Sequence, residues 1–308
     1  MAGVGKVVVV TGASRGIGYA IGKELATRMS GASVYLTTRQ KNLEVLENTL
    51  RRDIGVAADS ARFRFMDLKD KKSILKFVDL VKRRHGRLDI LVNNAGVYHK
   101  PPATFSQGDI PLRMKEVEEI VKTNYLGLKL ATESFLPEMA EGSRIVNISS
   151  HLSDIPDADS HGLGFNNTDL SMSSLDNMMK EYVESIPKGT VAKLGLPDCA
   201  YSVTKLAVNC YTRLLQERID AKPEWAKKGI SVNAICPGTM HSKMKLTREE
   251  TISASDAADV ISYLATLKMD KVGDCTSWKK MPKGQVFWHD MTYMKDRKPR
   301  KRAEAVAH

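Results

Sequence analysis

The sequence predicts an α/β protein built on one doubly wound parallel sheet of about seven strands. Three observations predict it. Short β-branched runs recur along the chain, helix-periodic segments separate them, and runs such as Val7-Val8-Val9-Val10 and Ile90-Leu91-Val92 are continuously apolar, as strands covered on both faces must be. The expected strands are residues 6–10, 33–37, 62–66, 89–92, 144–148, 230–235 and 285–289. In such a sheet, ligands bind at the carboxyl ends of the strands.

Composition allows one large core. The chain has 308 residues, 42% of them hydrophobic, and no apolar run approaches the ~20 residues of a membrane span. Met1 to Lys6 lead straight into the first strand, without the basic and apolar regions of a secretory signal, so a cytoplasmic protein is expected. Cys199, Cys210, Cys236 and Cys275 show no CxxC spacing and no His/Cys cluster, which points to neither metal nor disulfides. The formal charge is +11, of which residues 295–302 contribute +5. A basic tail of this kind is a solvated segment or a targeting or polyanion-binding one. Nucleic-acid binding would rest on the tail alone, since no aromatic interleaving or recognised motif accompanies it.

One domain over residues 1–292, followed by a basic tail over 293–308, is the expected organisation. The strand–helix rhythm breaks once, between Ser150 and Tyr201, where an insertion of about residues 151–198 is expected. Within it Leu175, Met178, Met179, Tyr182, Val183 and Ile186 fall at helical spacing, predicting an amphipathic helix over 174–186. That apolar stripe either packs in the core or walls a substrate pocket.

The cofactor end follows the first strand. The turn Thr11-Gly12-Ala13-Ser14-Arg15-Gly16-Ile17-Gly18 opens a helix patterned by Tyr19, Ile21 and Leu25. Gly12 permits the tight turn, Gly16 lets backbone approach a pyrophosphate, and Gly18 lets the helix pack on the sheet, in the Rossmann-like manner. About 20 residues on, where NAD sites place a carboxylate for the ribose 2′-hydroxyl, the sequence reads Thr37-Thr38-Arg39. No carboxylate is expected there, and Arg39 with Arg15 could clamp a 2′-phosphate, which favours NADPH/NADP+. Asp67-Leu68 should lie at the adenine edge, and Asn94, Ala95 and Gly96, from the run Asn93-Asn94-Ala95-Gly96, beside the ribose.

This turn, the Asn-Asn-Ala-Gly run, Ile148-Ser149-Ser150, Tyr201-Ser202-Val203-Thr204-Lys205 and Cys236-Pro237-Gly238 together resemble the short-chain dehydrogenases/reductases, over about residues 5 to 290. Thr123-Asn124-Tyr125-Leu126-Gly127, the 142–150 run, the insertion and Gly284-Gln285-Val286-Phe287 are similar to the monomeric carbonyl reductases. The resemblance implies an NADPH-dependent reduction of ketones, aldehydes or quinones, run by Asn124, Ser150, Tyr201 and Lys205. Tyr201 and Lys205 lie four apart on one helix face. The lysine charge, with that of the oxidised nicotinamide, is expected to lower the phenol pKa and make Tyr201 the general acid. Ser150 would bind the carbonyl oxygen. By resemblance, Lys205 also holds the nicotinamide ribose, and Asn124 supports a water-borne proton relay to it.

The resemblance places Pro237, Gly238 and Ser242 around the nicotinamide and makes Thr239, Met240 and Met244 pocket residues, with His241 at the rim; for the two methionines core packing is an equal alternative. Cys236 stands where carbonyl reductases can carry a reactive thiol near a glutathione site; a buried inert thiol is the other reading. The alternatives are an alcohol, steroid or prostaglandin dehydrogenase running the same residues in reverse, and a cofactor-binding sensor or scaffold. A monomer is expected, with the inserted helix covering the face that relatives use to dimerise.

Overall fold

A computed structural model describes residues 5–99, 110–155, 167, 169–238, 253–266 and 286–288. The chain alternates β1 (Val7–Val10), α1 (Gly16–Arg28), β2 (Ser33–Thr38), α2 (Glu44–Ile54), β3 (Ala61–Phe65), α3 (Lys71–His85) and β4 (Leu88–Asn93). Then follow α4 (Ile110–Val121), α5 (Leu128–Phe135), β5 (Met139–Ile148), α6 (Met172–Ser185), α7 (Ala200–Asp220), a one-turn α8 (Pro223–Ala226), β6 (Ser231–Cys236), α9 (Ala254–Thr266) and β7 (Val286–Trp288).

The sheet has seven parallel strands in the order β3-β2-β1-β4-β5-β6-β7. All seven expected strands are present, within a residue or two at most ends. The exception is β5, which starts five residues before the expected position. Its first part contains Gly142, which takes φ +65° where the β4–β5 pairing shifts register.

The strict alternation along each strand divides the interior in two. Val7, Val9, Leu91, Ile145 and Val232 face a core closed by α3, α4, α5, α6 and α7. Val8, Val10, Ile90, Val92 and Val146 face the opposite one, closed by α1, α2 and α9. Chain order reverses between β1 and β4, so the loops after these neighbouring strands diverge and leave a crevice at their carboxyl ends.

The inserted helix starts two residues earlier and ends one residue earlier than expected, because the Ser171 hydroxyl caps it by accepting from the Ser174 N–H at 3.1 Å. It packs on α7 and α4. Leu175, Met178, Met179, Tyr182 and Ile186 are buried with α7 residues, so the stripe belongs to the core. Asp176 on the same helix accepts from the Tyr125 hydroxyl at 2.7 Å and from Lys129 Nζ at 2.5 Å. Among the described residues, no helix is long and apolar enough to cross a membrane. The expected boundary at 292 and the basic tail lie outside the described residues.

Removing the Asp176 carboxylate strands the buried Tyr125 hydroxyl and the Lys129 ammonium together. Asp176→Ala should therefore lower unfolding free energy by about 1–3 kcal/mol in thermal or denaturant melts. Stability equal to wild type would show that the insertion is held by apolar contact alone.

Candidate active site

The loops after β1 and β4 are knitted to each other before any ligand is considered. Thr11 Oγ1 accepts from the backbone N–H groups of Asn94 and Ala95, both at 3.0 Å, and Asn94 Nδ2 donates to the carbonyls of Thr11 and Gly12 at 2.9 and 3.1 Å. The approach is so close that a Cβ on Gly12 would lie 2.6 Å from Ala95 Cα, and one on Gly18 2.2 Å from Asn94 Nδ2. Gly16 shares the positive φ of Gly12, +60° against +63°, but a Cβ there would meet open space. Gly18 is thus required by packing, Gly12 by both packing and backbone conformation, and Gly16 by conformation.

These loops open onto a cleft of about 640 Å³ lined by Gly12, Ser14, Arg15, Gly16, Ile17 and Gly18, by Leu68, and by Asn94, Ala95 and Gly96. Arg39 also lines it, with Thr37, Thr38, Gln40, Met66, Val97 and Thr123, which sequence reasoning did not single out. Two features of the cleft fit a dinucleotide. No side chain caps the first N–H groups of α1, which begins at Gly16 in the lining of this cleft. The hydroxyls of Thr37 and Thr123 are buried in the lining and have no hydrogen-bond partner among the described residues.

Asp67 does not line the cleft. Its carboxylate accepts from Lys69 N at 2.9 Å and its N–H donates to Ser73 Oγ at 3.0 Å, so it shapes the turn that presents Leu68. The expectation that no carboxylate stands near the end of β2 is also corrected. Glu119, reaching in from α4, receives Arg39 Nη1 at 3.3 Å and Lys69 Nζ at 2.9 Å on the same oxygen, Oε1, and His99 Nε2 at 3.2 Å on the other. Lys69 above all, with His99 and Arg39, holds the Glu119 pKa down at about 2.

The second half of the site gathers at the end of β5. Tyr201 and Lys205 sit in the first turns of α7, one turn apart as the spacing predicts. Lys205 is buried, and its Nζ donates to the Ile148 carbonyl at 2.5 Å. Ser150, two residues further on, stands beside the Tyr201 phenol, close enough for its hydroxyl to lower the phenol's pKa. A Cβ on Gly96 would lie 3.4 Å from Asn124 Oδ1 and 3.8 Å from Lys205 Nζ, which brings the β4 loop, Asn124 and the lysine to one point.

Asn124 lies in a π-helical turn over Lys122–Gly127, a local widening that the sequence did not announce. Its amide accepts from Val97 N at 2.8 Å and donates to Val97 O at 2.9 Å, so the side chain is spent on fixing the β4 loop. Tyr98 in that loop stands edge-on against Tyr201, ring centroids 5.2 Å apart at 86°. It is half exposed and was missed, because nothing in its spacing distinguishes it from a surface residue.

Burial governs the titration of both central groups. The Tyr201 phenol is pushed up to about 12, chiefly by desolvation, with the Ser150 hydroxyl opposing. The expected lowering by Lys205 is therefore not a property of the protein alone. Desolvation also brings Lys205 down to about 8, so the amine still carries its proton at neutral pH and loses it only just above. Cys236 is buried too, and burial raises its thiol despite N–H donors from Gly238 and His151, which favours the inert reading over a glutathione-linked nucleophile. Pro237 and Gly238 follow β6 without lining the cleft. Thr239, Met240, His241, Ser242 and Met244 lie outside the described residues.

The family model described as short chain dehydrogenase matches residues 6–160. Carbonyl reductase (NADPH) 1 of Mus musculus is 32% identical over 271 residues, covering 87% of this chain and 93% of that protein. (+)-Neomenthol dehydrogenase of Arabidopsis thaliana is 32% identical over 280 residues, covering 84% and 90%. Among solved structures, menthone neomenthol reductase from Mentha piperita superposes with a TM-score of 0.72 at 26% identity, covering 93% of this chain and 99% of that one.

The depressed Lys205 pKa has a consequence for stability. Between about 8 and 10.5 the unfolded chain holds a proton on this amine that the folded chain does not. The penalty for burying it, about 3 kcal/mol, is therefore full below pH 8 and is relieved as pH rises toward 10.5. Wild-type stability measured relative to Lys205→Met should climb across that window; parallel pH curves would refute the assignment.

Proposed function

The chain belongs to the short-chain dehydrogenase family, and from that membership we propose that it is an NADPH-dependent reductase that converts carbonyl compounds to alcohols with Tyr201 as the proton donor. The observation that carries this reading is the convergence of Ser150, Tyr201 and Lys205 at the end of β5, beside Gly96 and the mouth of the switch-point cleft. Relatives named carbonyl reductase (NADPH) support both the cofactor and the substrate class.

Gly12, Gly16 and the open end of α1 would take the pyrophosphate, Arg15 and Arg39 the 2′-phosphate, Thr37 and Thr123 the unmet polar groups of the adenosine half, and Asn94 to Gly96 the ribose. NADPH, when bound, supplies the hydride. Ser150 donates a hydrogen bond to the substrate carbonyl oxygen and stabilises the charge that develops there. Tyr201 passes its proton to the same oxygen, and Lys205 orients the ribose and returns a proton to the phenol through the path that Asn124 frames. Tyr98, edge-on to Tyr201, forms a wall of the substrate pocket. The same residues run the oxidation of an alcohol in reverse, a reading that the similarity to (+)-neomenthol dehydrogenase keeps in play. The whole is read as one cytoplasmic domain over 1–292.

The assembly is proposed to be monomeric. Helices α4 and α7 supply the apolar face, and α6 already occupies it. The intact chain should scatter light as a monomer, and deletion of 157–195 should promote self-association; a stable wild-type dimer through α7 would contradict the reading.

Tyr201→Phe tests the chemistry, since it removes the transferable proton and keeps the ring. Turnover of aromatic ketones or quinones should fall about 10²- to 10⁴-fold while NADPH binds nearly as before. A variant that keeps more than a third of the wild-type rate would remove Tyr201 from the role.

A further inference from the structure

The cation cluster at the adenosine end contains a group that the proposed function leaves unused. Arg39 lines the cleft, yet its guanidinium is paired with Glu119, a residue of α4 eighty positions away. Lys69, in the loop after β3, donates to the same carboxylate oxygen at 2.9 Å, closer than Arg39 at 3.3 Å. His99 covers the second oxygen. Because both cationic nitrogens reach one atom, a single anion of phosphate size can bridge them as the carboxylate does. Glu119 is only partly buried, 30% exposed, and ion pairs at such exposure are weak enough to be exchanged.

Resting on the NADPH reading, we propose that Glu119 is the resident counter-anion of the 2′-phosphate subsite, that the 2′-phosphate takes its place on Arg39 and Lys69, and that Lys69 is thus a second phosphate ligand. Glu119 then does from α4 what a carboxylate at the end of β2 does in NAD sites: it penalises the phosphorylated ribose. Three consequences follow from charge alone. The carboxylate keeps the two cations together and solvated as a pair, it competes with the phosphate for them, and after displacement it remains nearby as a like charge. Its removal therefore strengthens binding of 2′-phosphorylated ligands and leaves unphosphorylated ones alone.

Equilibrium binding by calorimetry tests this without turnover, using NADPH, NADH, 2′-AMP and 5′-AMP against wild type, Glu119→Gln and Lys69→Gln. Glu119→Gln should tighten NADPH and 2′-AMP about two- to fivefold, the size of an exchanged surface ion pair. NADH and 5′-AMP should change less than about twofold on the same scale, which also certifies that the variant is folded. Lys69→Gln should weaken only the two phosphorylated ligands. Unchanged or weaker NADPH binding by Glu119→Gln, or indifference of Lys69→Gln to the 2′-phosphate, overturns the proposal while leaving NADPH preference standing. A wild type that binds 2′-AMP no better than 5′-AMP instead overturns the cofactor reading, and this proposal with it.

Discussion

A lysine amine held out of water at the end of a buried strand is the constraint around which this site is arranged. Lys205 keeps its Nζ on the Ile148 carbonyl, and desolvation alone brings its pKa down to about 8. Burying such a group is costly unless its surroundings are closely matched. The match comes from three directions: Gly96 leaves out a side chain where the amine lies, Asn124 pins the β4 loop through both atoms of its amide, and β5 ends where its carbonyl can accept. Tyr201, one helical turn away, is driven in the opposite direction by the same desolvation. In so dry a place a charge on either group is expensive, and for that reason a charge brought by a ligand shifts both strongly.

Fixing the amine requires that α7 not slide along the sheet. A buried chain of polar side chains prevents this. Asn93 donates to Thr132 and to Asn147, each at 2.8 Å, and Asn147 donates to Thr212 on α7 at 2.9 Å. One strand end further, Ser149 donates to Asn209 on α7 at 2.6 Å, and Asn209 donates to Ser153 at 2.8 Å. Each bond adds modest net stability, but an unpaired member of the chain would be penalised in full, so the register of α7 against β4 and β5 is narrowly specified. On its far side α7 is backed by α6, whose Asp176 ties it to the turn that holds Asn124.

Much of this was legible in the sequence because the signals are local. Strands announce themselves as apolar runs, the β1–α1 turn by its glycines, and the Tyr201–Lys205 pair by a spacing of one helical turn. Such features need neighbours only a few residues away. What escaped was set by contacts across the chain. Glu119 reaches Arg39 over eighty positions, so the apparent lack of a carboxylate at the end of β2 was true of the sequence and untrue of the site. The π-helical turn at Asn124 and the early start of β5 at a left-handed Gly142 depart from the periodicity that reveals regular elements. Desolvation of Tyr201 is likewise a property of the packed structure, and it raises the phenol in the protein alone, whereas the expectation had combined the lysine charge with that of an oxidised nicotinamide.

On the proposed reading, one site at the end of β5 joins a nicotinamide cofactor to a carbonyl carbon under Tyr201. Single-turnover reduction of an aromatic ketone by the protein, with NADPH deuterated at the transferable position of nicotinamide C4, measures this directly. Mass spectrometry should find one deuterium on the carbinol carbon of the alcohol. Alcohol formed without the label, or no alcohol from any ketone, aldehyde or quinone offered, would contradict the account.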